Sequence, residues 1–338
     1  MRRATIVVLI GILVVGFGAY SAFWWIASGK IKLAAGDWAQ AAHDKHIDAS
    51  WQDIHVTGYP FSFRLELSDA VLSDKAASTP VELRAPLLSA SAWPWNYHTL
   101  WLSAPGGITV IAGPDGAPVA KVAASAAEGA VALAAGNRPT VWLTLYQPRV
   151  DAATTLSARL ADFWLVMPEH APASHTDPDF AGAMLVRDLA VPIAPPEFSK
   201  TIDELVLAVT VMGDMPAAPL RQALAAWRDA GGKLELEHFD LRWGAIGATA
   251  SGTLTLDGDL QPIASLSGAV SGYDQLLNAL VAAGKVKASD ARIAKLALSM
   301  LGKPGADGRP QISTSFAIQN GEMQLGPARL GKAPHIDW

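Results

Sequence analysis

The chain has 338 residues, 51% hydrophobic and 17% charged, with a formal net charge of −5. That charged share is well under the roughly 25% usual in soluble domains, so the sequence must hold a large core or an apolar internal surface besides any membrane segment. Cysteine is absent, which excludes disulfides, thiolate metal sites and cysteine nucleophiles; mild acidity without a basic, aromatic-studded stripe argues against a nucleic-acid partner.

Residues 4–26 are almost wholly apolar, and no charge lies between Arg3 and Lys30. A helix needs about 20 apolar residues to cross the hydrocarbon core. Arg2 and Arg3 precede the run, and Trp24 and Trp25 close it where an interfacial aromatic belt belongs. A signal-peptide core is shorter and ends at small residues. The run therefore predicts a retained transmembrane anchor at 1–29, in contact with the membrane through 4–26; cleavage at Ala27-Ser28-Gly29 is the alternative. Lys30 and Lys32 nearly balance the two arginines, but long translocated domains largely ignore such charge. The expected location is the inner (cytoplasmic) membrane, single-pass, with the ectodomain in the periplasm.

Ile31, Ala34, Ala35, Trp38 and Ala42 recur at helical spacing and predict a juxtamembrane helix at 30–46. From about residue 50 the period becomes two. Phe61, Phe63, Leu65 and Leu67 alternate with Ser62, Arg64, Glu66 and Ser68, a half-buried strand entered through Gly58-Tyr59-Pro60. Strand-like runs follow at 81–90, 108–111, 119–123, 140–150 and 155–166, punctuated by Gly and Pro as in antiparallel meanders. A proline-bearing loop occupies 162–178, Pro192, Pro195 and Pro196 make another break, and 201–212 is again strand.

Leu220, Ala223, Leu224 and Trp227 predict a helix stopped by Gly231-Gly232. Leu234 and Leu236 alternate with Glu235 and Glu237, then Phe239, Leu241 and Trp243 take the opposite phase, which places a bulge near His238. Residues 251–256 and 262–270 read as a hairpin around Asp257-Gly258. Tyr273, Leu276, Leu277 and Leu280 predict a second helix. Ile293, Leu296, Ala297 and Met300 predict a third, capped by Ser289. Strands at 312–318 and 323–325 close around Asn320-Gly321. Each helical stripe is one-sided and so should cover an apolar face or edge of sheet. The expected fold class is mainly β with a few helices (α+β): a transmembrane helix, then a large curved antiparallel sheet, sandwich or open-barrel-like, with short helices packed on it. The β-rich ectodomain spans 47–338, with a soft boundary near 212–219.

Several motifs occur in a set order behind the anchor. They are Trp51 then Gly58-Tyr59-Pro60-Phe61 and Arg64; Trp93-Pro94-Trp95; Trp243-Gly244 leading to Gly252-Thr253-Leu254 and Asp257; Gly272-Tyr273 with Leu276-Leu277; and Asn320-Gly321 with Gly326-Pro327. In these the chain resembles, over nearly its whole length, the bacterial envelope family called domain of unknown function 2125. The resemblance implies fold and location, without a biochemistry. The turn from Gly252 to Gly258 is more distantly similar to AsmA-like, lipid-carrier-type β proteins, whose sheets curve into an apolar trough. That likeness implies lipid handling by analogy alone, and this chain is much shorter than a carrier spanning an envelope.

No catalytic, cofactor or metal residues are assigned. Gly326 to Lys332 has P-loop spacing, but Ala333 replaces the magnesium-binding hydroxyl and no helix follows. Glu169, His170, His175, Asp177 and Asp179 crowd one loop without a metal-site spacing. His43 and His46 share a helix face, two ligands at most. Glu235 and Glu237 are an exposed strand face. Neither G-x-S-x-G nor H-E-x-x-H is present. Trp93, Trp95, Tyr97 and Trp101 are all odd-numbered, so a continuous strand would show them on one face, either as core or as a hydrophobe-binding or membrane-facing rim. The expected function is non-enzymatic: an envelope protein offering an apolar surface to a lipid ligand. The alternatives are a scaffold for an envelope protein partner and, less favoured, a hydrolase.

Overall fold

The computed structural model describes residues 2–77, 79–114, 116–133, 138–192, 198–282, 284, 286–304, 310–326 and 328–338. The chain forms two compact units, Met1–Ala132 with Arg149–Ala153, and Leu133–Pro148 with Thr154–Trp338. Residues 212–219 lie inside the second unit.

The anchor and juxtamembrane segments are one unbroken helix, α1 (Arg2–His43), about 63 Å long at 1.5 Å per residue. No proline interrupts it, and from Gly11 onward it is long and apolar enough to cross a membrane. Past Phe23 one stripe packs: Trp24, Ser28 and Ala42 are buried, and Ile31, Ala35 and Ala39 half-buried. Ala34 and Trp38 belong to the neighbouring stripe and face outward. Residues at i+3 and i+4 fit two adjacent helix faces, so the spacing picked out Ile31, Ala35 and Ala42 of the packed stripe together with Ala34 and Trp38 of its neighbour.

In the first unit α1 lies against β1 (Ile47–Ser50), β2 (Asp53–Thr57) and β3 (Phe63–Asp74). They are followed by β4 (Val81–Trp93), β5 (Asn96–Ala104), β6 (Ile108–Ala112), β7 (Ala120–Ala124) and β8 (Ala126–Leu133). After β9 (Pro139–Tyr146), which belongs to the second unit, β10 (Arg149–Asp151) returns to the first. Every pairing is antiparallel. β1 and β2 share one side of the long β3, and β4 takes the other. β5 and β6 share the far side of β4. β8 pairs with β5, and β7 lies between β6 and β10. Directly paired residues share a face. Val56–Leu65–Ala90–Leu102–Gly129 is therefore one apolar row, and His55–Glu66–Ser89–Ser103–Glu128 lies on the opposite, polar face.

The second unit is a meander. Its elements after β9 are β11 (Thr155–Ser157), β12 (Leu160–Val166), β13 (Pro178–Ala190), β14 (Thr201–Met212), α2 (Leu220–Asp229), β15 (Lys233–Trp243), β16 (Ile246–Leu256) and β17 (Pro262–Ser271). Then come α3 (Tyr273–Ala282), α4 (Ala288–Leu301), β18 (Lys303–Pro304), β19 (Pro310–Gln319), β20 (Glu322–Leu325) and β21 (Ala328–Lys332). The main ladder runs β9, β12, β13, β14, β15, β16, β17, β19, β20, β21, all antiparallel. β11 and β18 add short pairings to β13 and β19. The expected irregularity near His238 is present, since the β15–β16 register shifts between Leu236 and Phe239.

The three helices behave differently. α2 buries Ala223, Leu224 and Trp227 as its periodicity predicts, while Leu220 is exposed. α3 buries Tyr273 and Ala279. α4 starts behind Lys287 rather than Ser289, with no side-chain cap. It buries small Ala291 and turns Ile293 and Leu296 outward, at 70% and 66% exposure. Ile293 and Leu296, which suggested its packed face, are thus on the open one; the side chains of Ala297 and Met300 lie outside the described residues.

Glycines shape the second sheet where strands approach closely. A Cβ on Gly268 would lie 2.0 Å from the Thr249 carbonyl oxygen and 3.0 Å from Ala250 Cα. Gly268 shares a face with Ala250, Phe239 and Leu207, so backbone crowds in on that side. Gly268→Ala forces the strands apart and is expected to destabilise the unit by about 1–3 kcal/mol, as overpacking does. Urea unfolding checks this; an unchanged midpoint would contradict the geometry.

Candidate functional site

The β4–β5 hairpin turns at Pro94-Trp95, so the four aromatics of 93–101 do not share one strand. Trp93 ends β4, Trp95 sits in the turn, and Tyr97 and Trp101 lie on β5. All are exposed, at 52%, 62%, 75% and 47%. Trp93 and Trp95 meet edge to face with centroids 5.4 Å apart, and Tyr97 tilts over His98 at 4.3 Å. Trp101 pairs with Ser91, which pairs with Arg64, so it belongs to the polar face of the first sheet.

Phe63 pairs with Ala92, so the turn before β3 and this hairpin tip lie at the same end of the sheet. That turn carries Tyr59 and Phe61, exposed at 41% and 72%. It also docks on α1. Phe17 and Trp24 meet Tyr59 edge-on, and Trp24 stacks on Phe63 with rings 5.4 Å apart. Gly58 makes the turn possible: its φ is +97°, and a Cβ there would lie 2.4 Å from Ser62 Oγ.

A larger apolar surface lies in the second unit. Cross-strand register aligns four rows on one face. They are Phe180–Val211–Leu234–Leu254–Ala264–Ile318–Met323; Val141–Leu165–Gly182–Val209–Leu236–Gly252–Leu266–Phe316; Leu143–Phe163–Met184–Leu207–Phe239–Ala250–Gly268–Thr314; and Leu145–Ala161–Val186–Leu205–Leu241–Ala248–Val270–Ile312. Of 31 positions only Thr314 is polar. The opposite face is polar at its centre: Thr144 hydrogen-bonds Asp162, Thr210 hydrogen-bonds Glu237, and Glu204 bridges Arg187 and Arg242 at 3.2 and 2.7 Å.

This apolar face is incompletely covered. α2 closes one end, where Leu224 and Trp227 pack with Val211, Leu256 and Leu260 against Phe180 and Leu234. Elsewhere along the rows only Ala161, Val186 and Ala264 are buried; Leu143 and Phe163 are exposed, and the remaining members half-buried. Among the described residues no large side chain anywhere is fully buried. Of the two explanations for the low charge share, an apolar surface fits and a large core does not.

Three of the polar candidates have local structural roles. Asp177 accepts the backbone N–H groups of Ala173 and Ser174, both at 3.0 Å. Asp179 is held by Arg138 at 2.6 Å. His43 meets Asp48 at 2.7 Å, and His46 lies in the turn after α1. Among the described residues no three His, Asp or Glu side chains form a metal-binding group. The segment with P-loop spacing runs from Gly326, after β20, through β21, which pairs with β20 as a strand; Pro327, within it, lies outside the described residues.

Fold and surface define a class: a mainly β, antiparallel protein with an N-terminal helix fit to cross a membrane and an open apolar sheet face. The chain belongs to the family of uncharacterised proteins conserved in bacteria, domain of unknown function 2125, whose model matches residues 24–334. No curated protein and no solved structure matches it.

Proposed function

We propose that this is a non-enzymatic protein of the bacterial inner membrane, held by α1, with its β-rich part in the periplasm. Its second sheet binds the acyl chain of a lipid, or a similar hydrophobe, along the apolar face. The continuity of the four rows, three of them over eight strands and one over seven, carries this reading. A second layer would bury such a face in an ordinary sandwich; here its aliphatic side chains stay half-exposed. Each methylene moved from water onto it contributes about 0.8 kcal/mol, so a fatty chain is a sufficient ligand without a charged headgroup site.

Leu207 and Ala208 are adjacent on β14 and face opposite ways, and the chain has no native cysteine. Benzophenone attached at Leu207→Cys or Phe239→Cys in the full chain, irradiated in native membranes, is expected to yield acyl-chain adducts by mass spectrometry. Label at Ala208→Cys is expected to give few. Equal labelling at 207 and 208 would sink the proposal. Peptide adducts at 207 and 239 would support the scaffold reading instead, which the outward Ile293 and Leu296 of α4 favour.

A further inference from the structure

We infer that the aromatic end of the first unit is seated in the lipid–water interface beside α1, a second membrane contact independent of the helix itself. The inference rests on α1 spanning a bilayer, and not on ligand binding by the second sheet. The hydrocarbon core takes about 20 helical residues, so a span beginning near Ala4 ends near Phe23. The turn carrying Tyr59 and Phe61 docks on α1 between Phe17 and Trp24, the last two turns of that span. The strand register then brings the Trp93–Tyr97 tip to the same end.

The chemistry of this end suits a low dielectric. Backbone carbonyls that enter a membrane interface need partners within the protein. Gly58 O accepts from the N–H groups of Phe61 and Ser62 at 3.1 and 2.9 Å. Pro60 O accepts from the Tyr20 hydroxyl, and Ser62 O from Trp24 Nε1 at 3.1 Å. Tyr59 and Ser21 share a hydrogen bond of 2.7 Å between their hydroxyls. Thus α1 side chains serve the turn, Tyr59 packs on α1 while staying partly open, and Phe61 points outward. No Asp, Glu, Lys or Arg lies between Asp53 and Arg64 or between Arg84 and Asp115. Outward Trp and Tyr flanked in sequence by uncharged residues have the composition of an interfacial belt; Arg64, paired with Thr57 and Ser91, lies on the strands behind them. A protein partner would be expected to meet some charge at the rim, so a bilayer surface is the favoured occupant.

The absence of cysteine permits a direct test on the full chain. Nitroxide labels are placed singly at Phe61→Cys, Trp95→Cys and Tyr97→Cys, all outward positions, where a substitution removes at most one exposed ring contact. Val14→Cys serves as the helix control, and Lys75→Cys, at the far end of β3, as the aqueous control. The protein is reconstituted in vesicles of phosphatidylethanolamine and phosphatidylglycerol, and relaxation by oxygen is compared with relaxation by a water-soluble nickel chelate. At 61, 95 and 97 oxygen is expected to dominate, as at 14, with the ratio inverted at 75. Labels at 61, 95 and 97 that behave like 75 while 14 stays lipid-exposed would overturn the interfacial seat alone. A water-exposed label at 14 would overturn the anchor as well.

Discussion

Trp227→Ala is expected to destabilise the second unit by about 3–5 kcal/mol, the usual cost of emptying a buried aromatic site. Trp227 is 4% exposed and centres the cluster of Val211, Leu224, Leu256 and Leu260. Its indole N–H donates to Met212 O at 2.8 Å, tying α2 to the end of β14. Gly232 leaves room for the ring: a Cβ there would lie 2.4 Å from it. The site cannot collapse easily, because Val211 and Leu256 are held in strand register on either side. Urea unfolding of the full chain in detergent, with hydrogen exchange read on β14 to β16, measures the loss. Trp227→Phe keeps most of the volume and is expected to lose only about 1 kcal/mol, the share of one hydrogen bond. A cost for Trp227→Ala near that of Trp227→Phe would mean that α2 does not close this end of the face.

The part of this arrangement that is local was legible in the sequence. β14 occupies the predicted residues 201–212, α2 buries three of its four predicted contacts, and the phase change after Glu237 marks a real register shift. Other elements were hidden for physical reasons. β13 was not assigned because Ala181, Gly182 and Ala183 carry little β preference, and because Met184, Leu185 and Val186 are apolar on both faces, which erases alternation. β8 is built largely of alanine and glycine for the same result. In α4, hydrophobicity pointed to Ile293 and Leu296, whereas burial fell on Ala291.

The two candidate surfaces were less legible still, because both depend on register rather than on strand pattern. Alternation says that Leu207 and Val209 share a face. It does not say that Leu207 lies in line with Phe163, Met184 and Phe239, which needs the β14–β15 shift between Ala208 and Val209 to be known. Likewise, the common parity of Trp93, Trp95, Tyr97 and Trp101 suggested one strand face, but the chain reverses at Pro94-Trp95. What joins these aromatics to Tyr59 and Phe61 is the pairing of Phe63 with Ala92. Residue counting along the chain cannot supply that, since the partners are separated by a whole hairpin.

The second large effect is expected at the same end of the apolar face, where the loop before α2 meets the start of β13. Asp179, 12% exposed at its side chain, holds Arg138, 18% exposed, at 2.6 Å. It also accepts the Met215 N–H at 3.2 Å, and the same guanidinium donates to Asp179 O at 2.6 Å. These bonds tie three segments together: the entry to β9, the start of β13, and the loop before α2. Asp179→Ala leaves a guanidinium largely desolvated and unpaired, with Arg138 Nε already without an acceptor among the described residues. The expected loss is about 3–5 kcal/mol, as for breaking one side of a buried ion pair. The double variant Arg138→Met with Asp179→Leu removes both charges at similar volume and is expected to recover most of that loss. Thermal unfolding of the two variants separates the causes. Recovery would show that the cost of the single change is the stranded charge. If the double variant stays as unstable as the single one, the pair instead fixes the relative register of β9 and β13, and with it the alignment of Val141 and Leu143 with the rest of the apolar rows.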